Sequence, residues 1–145
     1  GDPSLYDSTL RIADRLLANG LEAAVNVVPG ITSLQMLTAA HAVPLNALGA
    51  PVMITTGRQL RDHGWPVGVD TVAVMLDGLC SFQHVMDQDA QIWWGAYVGM
   101  PQQVLRAGAL ADVCDDIIET RAKARDQNGW VMDIYLLKRG SKALA

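Results

Sequence analysis

The chain is 145 residues long, half of them hydrophobic, with 11 Lys and Arg against 15 Asp and Glu for a formal net charge of -4. That length suits one domain able to bury a core without staples, and the acidic balance lacks the clustered cations of a nucleic-acid footprint. No apolar run reaches the ~20 residues needed to span a bilayer, and two cysteines, Cys80 and Cys114, make no disulfide framework, so a soluble, cytoplasmic α/β or α+β domain is expected.

Apolar periodicity switches repeatedly between helical and strand spacing, the pattern of an α/β protein. Residues 4–18 read as a helix, opened by a capping-box pair, Ser4 and Asp7, and closed by Asn19-Gly20. Residues 23–28 read as a buried strand that Pro29-Gly30 ends with a turn. Thr32 and Gln35 form a second capping-box pair for a helix reaching about Ala42, since Pro44 disfavours helical angles before it. Residues 51–56 read as a strand, followed by a short polar helix over 58–63. Residues 71–76 are β-branched and apolar, hence a strand, which Asp77-Gly78 breaks. A short helix over 81–86, a strand over 91–98 and a short antiparallel strand over 104–106 follow. Residues 110–125 read as a helix with Leu110, Val113, Cys114, Ile117 and Ile118 on one stripe and charges opposite. Residues 130–137 close the chain as a strand, and a frayed tail is expected from Arg139.

Most chemistry-bearing residues have a plain structural explanation. His41, His63 and His84 fall in three different elements with no i, i+4 pairing, so no metal site is expected. Cys80 and Cys114 suit buried small hydrophobes better than nucleophiles. Gly1-Asp2-Pro3-Ser4 and Val28-Pro29-Gly30-Ile31-Thr32-Ser33 each combine a tight turn with a helix start. Either is a well-capped helix or a loop whose amides meet an anion. Asp77 stands at the end of a strand, where ligand sites gather in open α/β sheets, and is either a turn former or a base. Adjacent Trp93 and Trp94 face opposite sides of their strand. One belongs to the core, and the other is a ligand wall or an interface residue.

The Gly1-Asp2-Pro3 loop, a helix, and a strand running into Pro29-Gly30-Ile31-Thr32-Ser33, in that order, resemble the tetrapyrrole methyltransferases. These enzymes methylate uroporphyrinogen and precorrins with S-adenosyl-L-methionine. Val72-Ala73-Val74-Met75 and the stretch from Gly99-Met100-Pro101 to Gly108-Ala109-Leu110 extend the resemblance over nearly the whole chain. Five stretches are similar to the subgroup that methylates precorrin-5 at ring carbon C1 and releases an acetyl group as acetate. They are Gly1 to Thr9, Ile54-Thr55-Thr56-Gly57-Arg58, Val74-Met75-Leu76-Asp77-Gly78, Trp93-Trp94-Gly95-Ala96-Tyr97 and Gly129-Trp130-Val131-Met132-Asp133.

The resemblance implies a mixed-sheet α/β domain from about residue 31, preceded over residues 1–30 by the last helix and strand of another α/β domain. A chain beginning mid-motif without Met would hold half of the cleft between the two, and by itself would be inactive. The resemblance further implies S-adenosyl-L-methionine as cofactor, a tetrapyrrole substrate and a homodimer, without nucleic acid or membrane. Cofactor contacts would come from Gly1, Asp2, Leu5, Thr32, Ser33, Met75 and Gly99. Asp77 and Tyr97 are the candidates, by position and chemistry, for the acetyl hydrolysis. Two other readings stay open: another precorrin or uroporphyrinogen methyltransferase, and a non-catalytic dimerisation or ligand-binding domain of the same fold.

Overall fold

In the computed structural model, which describes residues 2–140, side-chain alternation puts a sheet between two layers of helix. Four helices, α1 (Thr9–Ala18), α2 (Ser33–His41), α3 (Gly57–His63) and α4 (Leu110–Asn128), accompany five strands. The strands are β1 (Val52–Thr56), β2 (Thr71–Met75), β3 (Ala90–Ala96), β4 (Val104–Ala109) and β5 (Asp133–Arg139), and a 3-10 segment spans Ser81–Gln88. The sheet order is β1-β2-β5-β3-β4, with β1 parallel to β2 and every other pair antiparallel.

Val72, Val74, Tyr135, Leu137, Ile92 and Trp94 point to one face. There they pack with Leu60 of α3, Phe82 of the 3-10 segment and Leu110 and Ile117 of α4. Ala73, Ile134 and Leu136 point to the other face, against Leu34 and Leu37 of α2. Trp94 is fully buried in the first core, while Trp93 is partly buried on the opposite side beneath the Lys138 ammonium. His41 Nε2 lies 3.0 Å from the Trp94 carbonyl, a structural use of that ring.

Several expectations change. The first helix begins at Thr9 rather than Ser4, because Tyr6 has a φ of +48° and Asp7, not Ser4, takes up the Thr9 N–H. Residues 23–28 form no strand and are exposed. A strand needs a ladder, and no strand of the described sheet pairs with them. β4 continues to Ala109, α4 to Asn128, and β5 starts three residues later than expected, at Asp133. Arg139 is anchored rather than frayed: it bonds Asp70 at 3.1 Å and Gln88 at 3.2 Å and stacks over Trp65. The remainder of the expected tail lies outside the described residues.

Candidate functional site

β2 and β3 end, and the antiparallel β5 begins, at the same edge of the sheet. Their connections enclose a cavity of about 500 Å³ there. Met75 to Gly78, Tyr97, Val98, Met100 and Trp130 to Ile134 form its walls, with Ser33 from the start of α2 and Arg121 and Arg125 from α4. Both strands leave the sheet through a left-handed residue, Leu76 (φ +54°) and Tyr97 (φ +53°). Such conformations are costly for side chains with a Cβ and persist only where surrounding contacts hold them.

Those contacts are visible. The Tyr97 N–H donates to the Met132 carbonyl at 2.8 Å, and its hydroxyl donates to the carbonyl of Trp130. Asp77, buried behind Leu76, accepts four hydrogen bonds: from the Leu79 N–H (3.1 Å), the Ser81 N–H (2.6 Å), the Ser81 hydroxyl (2.8 Å) and the Tyr135 hydroxyl (2.6 Å). Burial, together with the neighbouring Asp77 charge, holds the Tyr135 phenol well above its ordinary pKa, so it stays a donor. Gly57, at the start of α3, makes room for this carboxylate, since a Cβ there would collide with Asp77 Cβ and Cγ.

Beside Asp77 lies an ion pair sequestered from water. Arg121 Nε and one terminal nitrogen grip the two Asp133 oxygens at 2.9 and 3.3 Å, and Trp94 Nε1 donates to the same carboxylate at 3.0 Å. Burial pushes the Asp133 carboxyl up against the pull of Arg121. Burial also opposes the charge on Arg121, but the Asp133 hydrogen bond and charge outweigh it and raise its pKa. Cys80 is pushed up to about 11 by burial, which leaves it a thiol at neutral pH. Among the described residues no three His, Cys, Asp or Glu converge as metal ligands.

Of the residues expected from sequence, Ser33, Met75, Asp77 and Tyr97 meet at this cavity. Thr32 caps α2, with its N–H donating to Gln35 Oε1 at 3.2 Å. Gly99 sits between two lining residues. It has a φ of +79°, and Met36 occupies the space where a Cβ would go. Asp2 and Leu5 are not part of the lining, and Gly1 lies outside the described residues. Asp2 joins the two ambiguous motifs physically: its carboxylate accepts from the Ser4 hydroxyl and N–H and, at 3.0 Å, from the Gly30 N–H. The Ser4 hydroxyl and the Gly30 amide lower its pKa to about 2.

Sequence reasoning assigned α4's charges to the solvent face and so missed Arg121. The signal was present. Leu110, Cys114, Ile117, Arg121 and Ala124 recur at three- and four-residue steps, and all five are buried, so a cation on that stripe requires a buried partner.

The family model for Tetrapyrrole (Corrin/Porphyrin) Methylases matches residues 1–114. The chain is 54% identical over 142 residues to a curated precorrin-6A synthase [deacetylating] from Sinorhizobium sp., covering 97% of this chain and 54% of that protein. It is 42% identical to the crystal structure of a cobalamin synthesis related protein (CobF) from Corynebacterium diphtheriae, with a TM-score of 0.89 over 96% of this chain and 58% of that one. A uroporphyrin-III C-methyltransferase from Thermus thermophilus, complexed with S-adenyl homocysteine, shares the fold at 20% identity, with a TM-score of 0.61 over 95% of this chain and 62% of that one. The chain thus spans about half the length of the curated relative it matches. The mixed sheet, the ordered motifs and the family match together place this chain among the tetrapyrrole (corrin/porphyrin) methylases.

Proposed function

We propose that the chain provides one wall of the active site of an S-adenosyl-L-methionine-dependent C-methyltransferase of cobalamin biosynthesis. Its reaction would methylate precorrin-5 at C1 and release acetate, giving precorrin-6A. The observation that carries this reading is the cavity of about 500 Å³ that gathers Ser33, Met75 and Tyr97 in a chain so similar to a precorrin-6A synthase.

The lining fits the cofactor chemically. Met75, Val98, Met100, Met132 and Ile134 offer apolar surface to a flat base and a sulfur centre. When bound, S-adenosyl-L-methionine supplies an activated methyl group, so positioning is most of the catalysis asked of the protein. Ser33 and Met75 would hold the cofactor within the cavity. Thr32 and Gly99 would do so from its border, with Asp2 and Leu5 closing over it. Asp77 and Tyr97 act in this reading by fixing the two left-handed strand exits. Asp77 uses its carboxylate oxygens to accept four hydrogen bonds that hold the turn after β2, and it and Tyr97 are the candidates for the acetyl hydrolysis.

Residues 1–30 and 31–145 are proposed to belong to two folding units. α1 buries none of its residues, and Ile12, Leu16, Leu17, Val28 and Ile31 present an apolar surface suited to a further α/β unit. A homodimer and a cytoplasmic location accompany the same reading.

The test has two arms. Titrating the chain with S-adenosylhomocysteine to millimolar concentration should give saturable binding, and complete absence of binding would sink the cofactor assignment. In a preparation that turns over precorrin-5, the product should gain one methyl and lose one acetyl, with acetate released. Methylation without acetate would transfer the assignment to another precorrin methyltransferase.

A further inference from the structure

Trp130 is one of four tryptophans, and its side chain stands at the mouth of the cavity, 72% exposed where Trp94 is fully buried. This exposure is not that of a loose end. The Trp130 carbonyl accepts from the Tyr97 hydroxyl, the following residue Val131 is buried, and the Met132 carbonyl accepts from the Tyr97 N–H at 2.8 Å. The backbone from Trp130 to Met132 is therefore clamped to the left-handed exit of β3. Beside it in the lining, Leu76 and Met132 are also largely exposed, and Met100 is nearly half exposed. An indole carried on a clamped backbone at the rim of an apolar cavity offers a planar ring a stacking surface.

We propose that Trp130 is the stacking wall for the purine ring of a nucleoside ligand entering this cavity. The proposal rests on the cofactor reading above and adds to it the residue that recognises the base. Size favours a nucleoside over the substrate. A cavity of about 500 Å³ lies in the range of small-molecule sites, whereas a four-pyrrole macrocycle is broader and would lie across the mouth.

The experiment follows the four indole N–H resonances of the chain by NMR during titration with adenosine, S-adenosylhomocysteine and, separately, a water-soluble porphyrin. Adenosine and S-adenosylhomocysteine should both shift the Trp130 signal saturably. Trp130→Ala should weaken S-adenosylhomocysteine binding roughly fivefold or more, the range for loss of one base–aromatic stack, while Trp130→Phe keeps most of the affinity. Unmoved signals of the other three tryptophans in the unliganded variants report an intact fold. S-adenosylhomocysteine binding unchanged by Trp130→Ala would overturn this inference and leave the cofactor reading standing. No binding to the unsubstituted chain would overturn both. A Trp130 response to the porphyrin but not to adenosine would assign the indole to the macrocycle and overturn the purine assignment.

Discussion

Arg121 stands where its helix otherwise places apolar side chains, and its guanidinium and the Asp133 carboxylate are only 10% and 6% exposed. A buried pair of this kind contributes little net stability over a well-packed apolar pair, but removing one partner strands the other charge. Arg121→Met should therefore cost about 3–5 kcal/mol near neutral pH, and the double variant Arg121→Met with Asp133→Leu should recover only part of that loss, because the buried Trp94 indole N–H then has no acceptor. The sign of the pH dependence follows from Asp133. Burial already raises its carboxyl above the usual 3.8 in the folded chain, and loss of Arg121 removes the opposing pull. A carboxyl raised in the folded state favours folding while protonated and loses that advantage as pH rises through its folded pKa. The deficit of Arg121→Met should be smallest in acid and should widen toward neutrality. Urea unfolding at several pH values measures this, and a deficit independent of pH would show that Asp133 is not the stranded group.

At the scale of elements, the site depends on how β2 stops. β2 hands over to Leu76 in the left-handed region, and Asp77 ties the turn to the 3-10 segment through Ser81 and to β5 through Tyr135. α3 can lie against this carboxylate only because its first residue is Gly57. Gly57→Ala should force Asp77 off its partners and destabilise the fold by about 1–3 kcal/mol, as overpacking does. The Tyr135 hydroxyl resonance should shift with it, and an unperturbed Tyr135 with unchanged stability would remove Gly57 from this role. The local parts of this arrangement were legible in the sequence. The Thr32–Gln35 cap, the β-branched run of β2, the polar α3 and the opposed Trp93 and Trp94 follow from spacing alone. What spacing does not carry is contact at a distance. Tyr135 reaches Asp77 across 58 positions, Trp94 reaches Asp133 across 39, and neither motif announces the other. The misread strand over residues 23–28 has the same origin, because an apolar run states a tendency to be covered and leaves the covering partner unstated. The cavity's Met75 and Ser33 came from family resemblance. Trp130 lies within one of the stretches similar to the family, but its exposure beside the clamped Tyr97 is visible only in the structure.

In the whole molecule, the two cores lie on the two faces of one sheet, and α1 contributes no buried side chain to either. The segment before α2 is tied mainly to itself, through Asp2 and Gly30. The Tyr6 hydroxyl reaches the Ile54 carbonyl at 3.3 Å as an exposed link to β1. Folding and ligand binding should therefore separate when this segment is removed. A chain beginning at Ile31 keeps every residue of both cores and the whole lining of the cavity, so it should unfold cooperatively in urea. Its loss of stability should be below the ~1 kcal/mol typical of a single substitution. Its affinity for S-adenosylhomocysteine should nevertheless fall, because the loop of Asp2 and Leu5 proposed to close over the cofactor is gone. Loss of cooperative unfolding would make residues 2–30 part of the same folding unit as the sheet. Retained folding with undiminished affinity would remove Asp2 and Leu5 from the site and leave the binding to Ser33, Met75 and the walls around Tyr97.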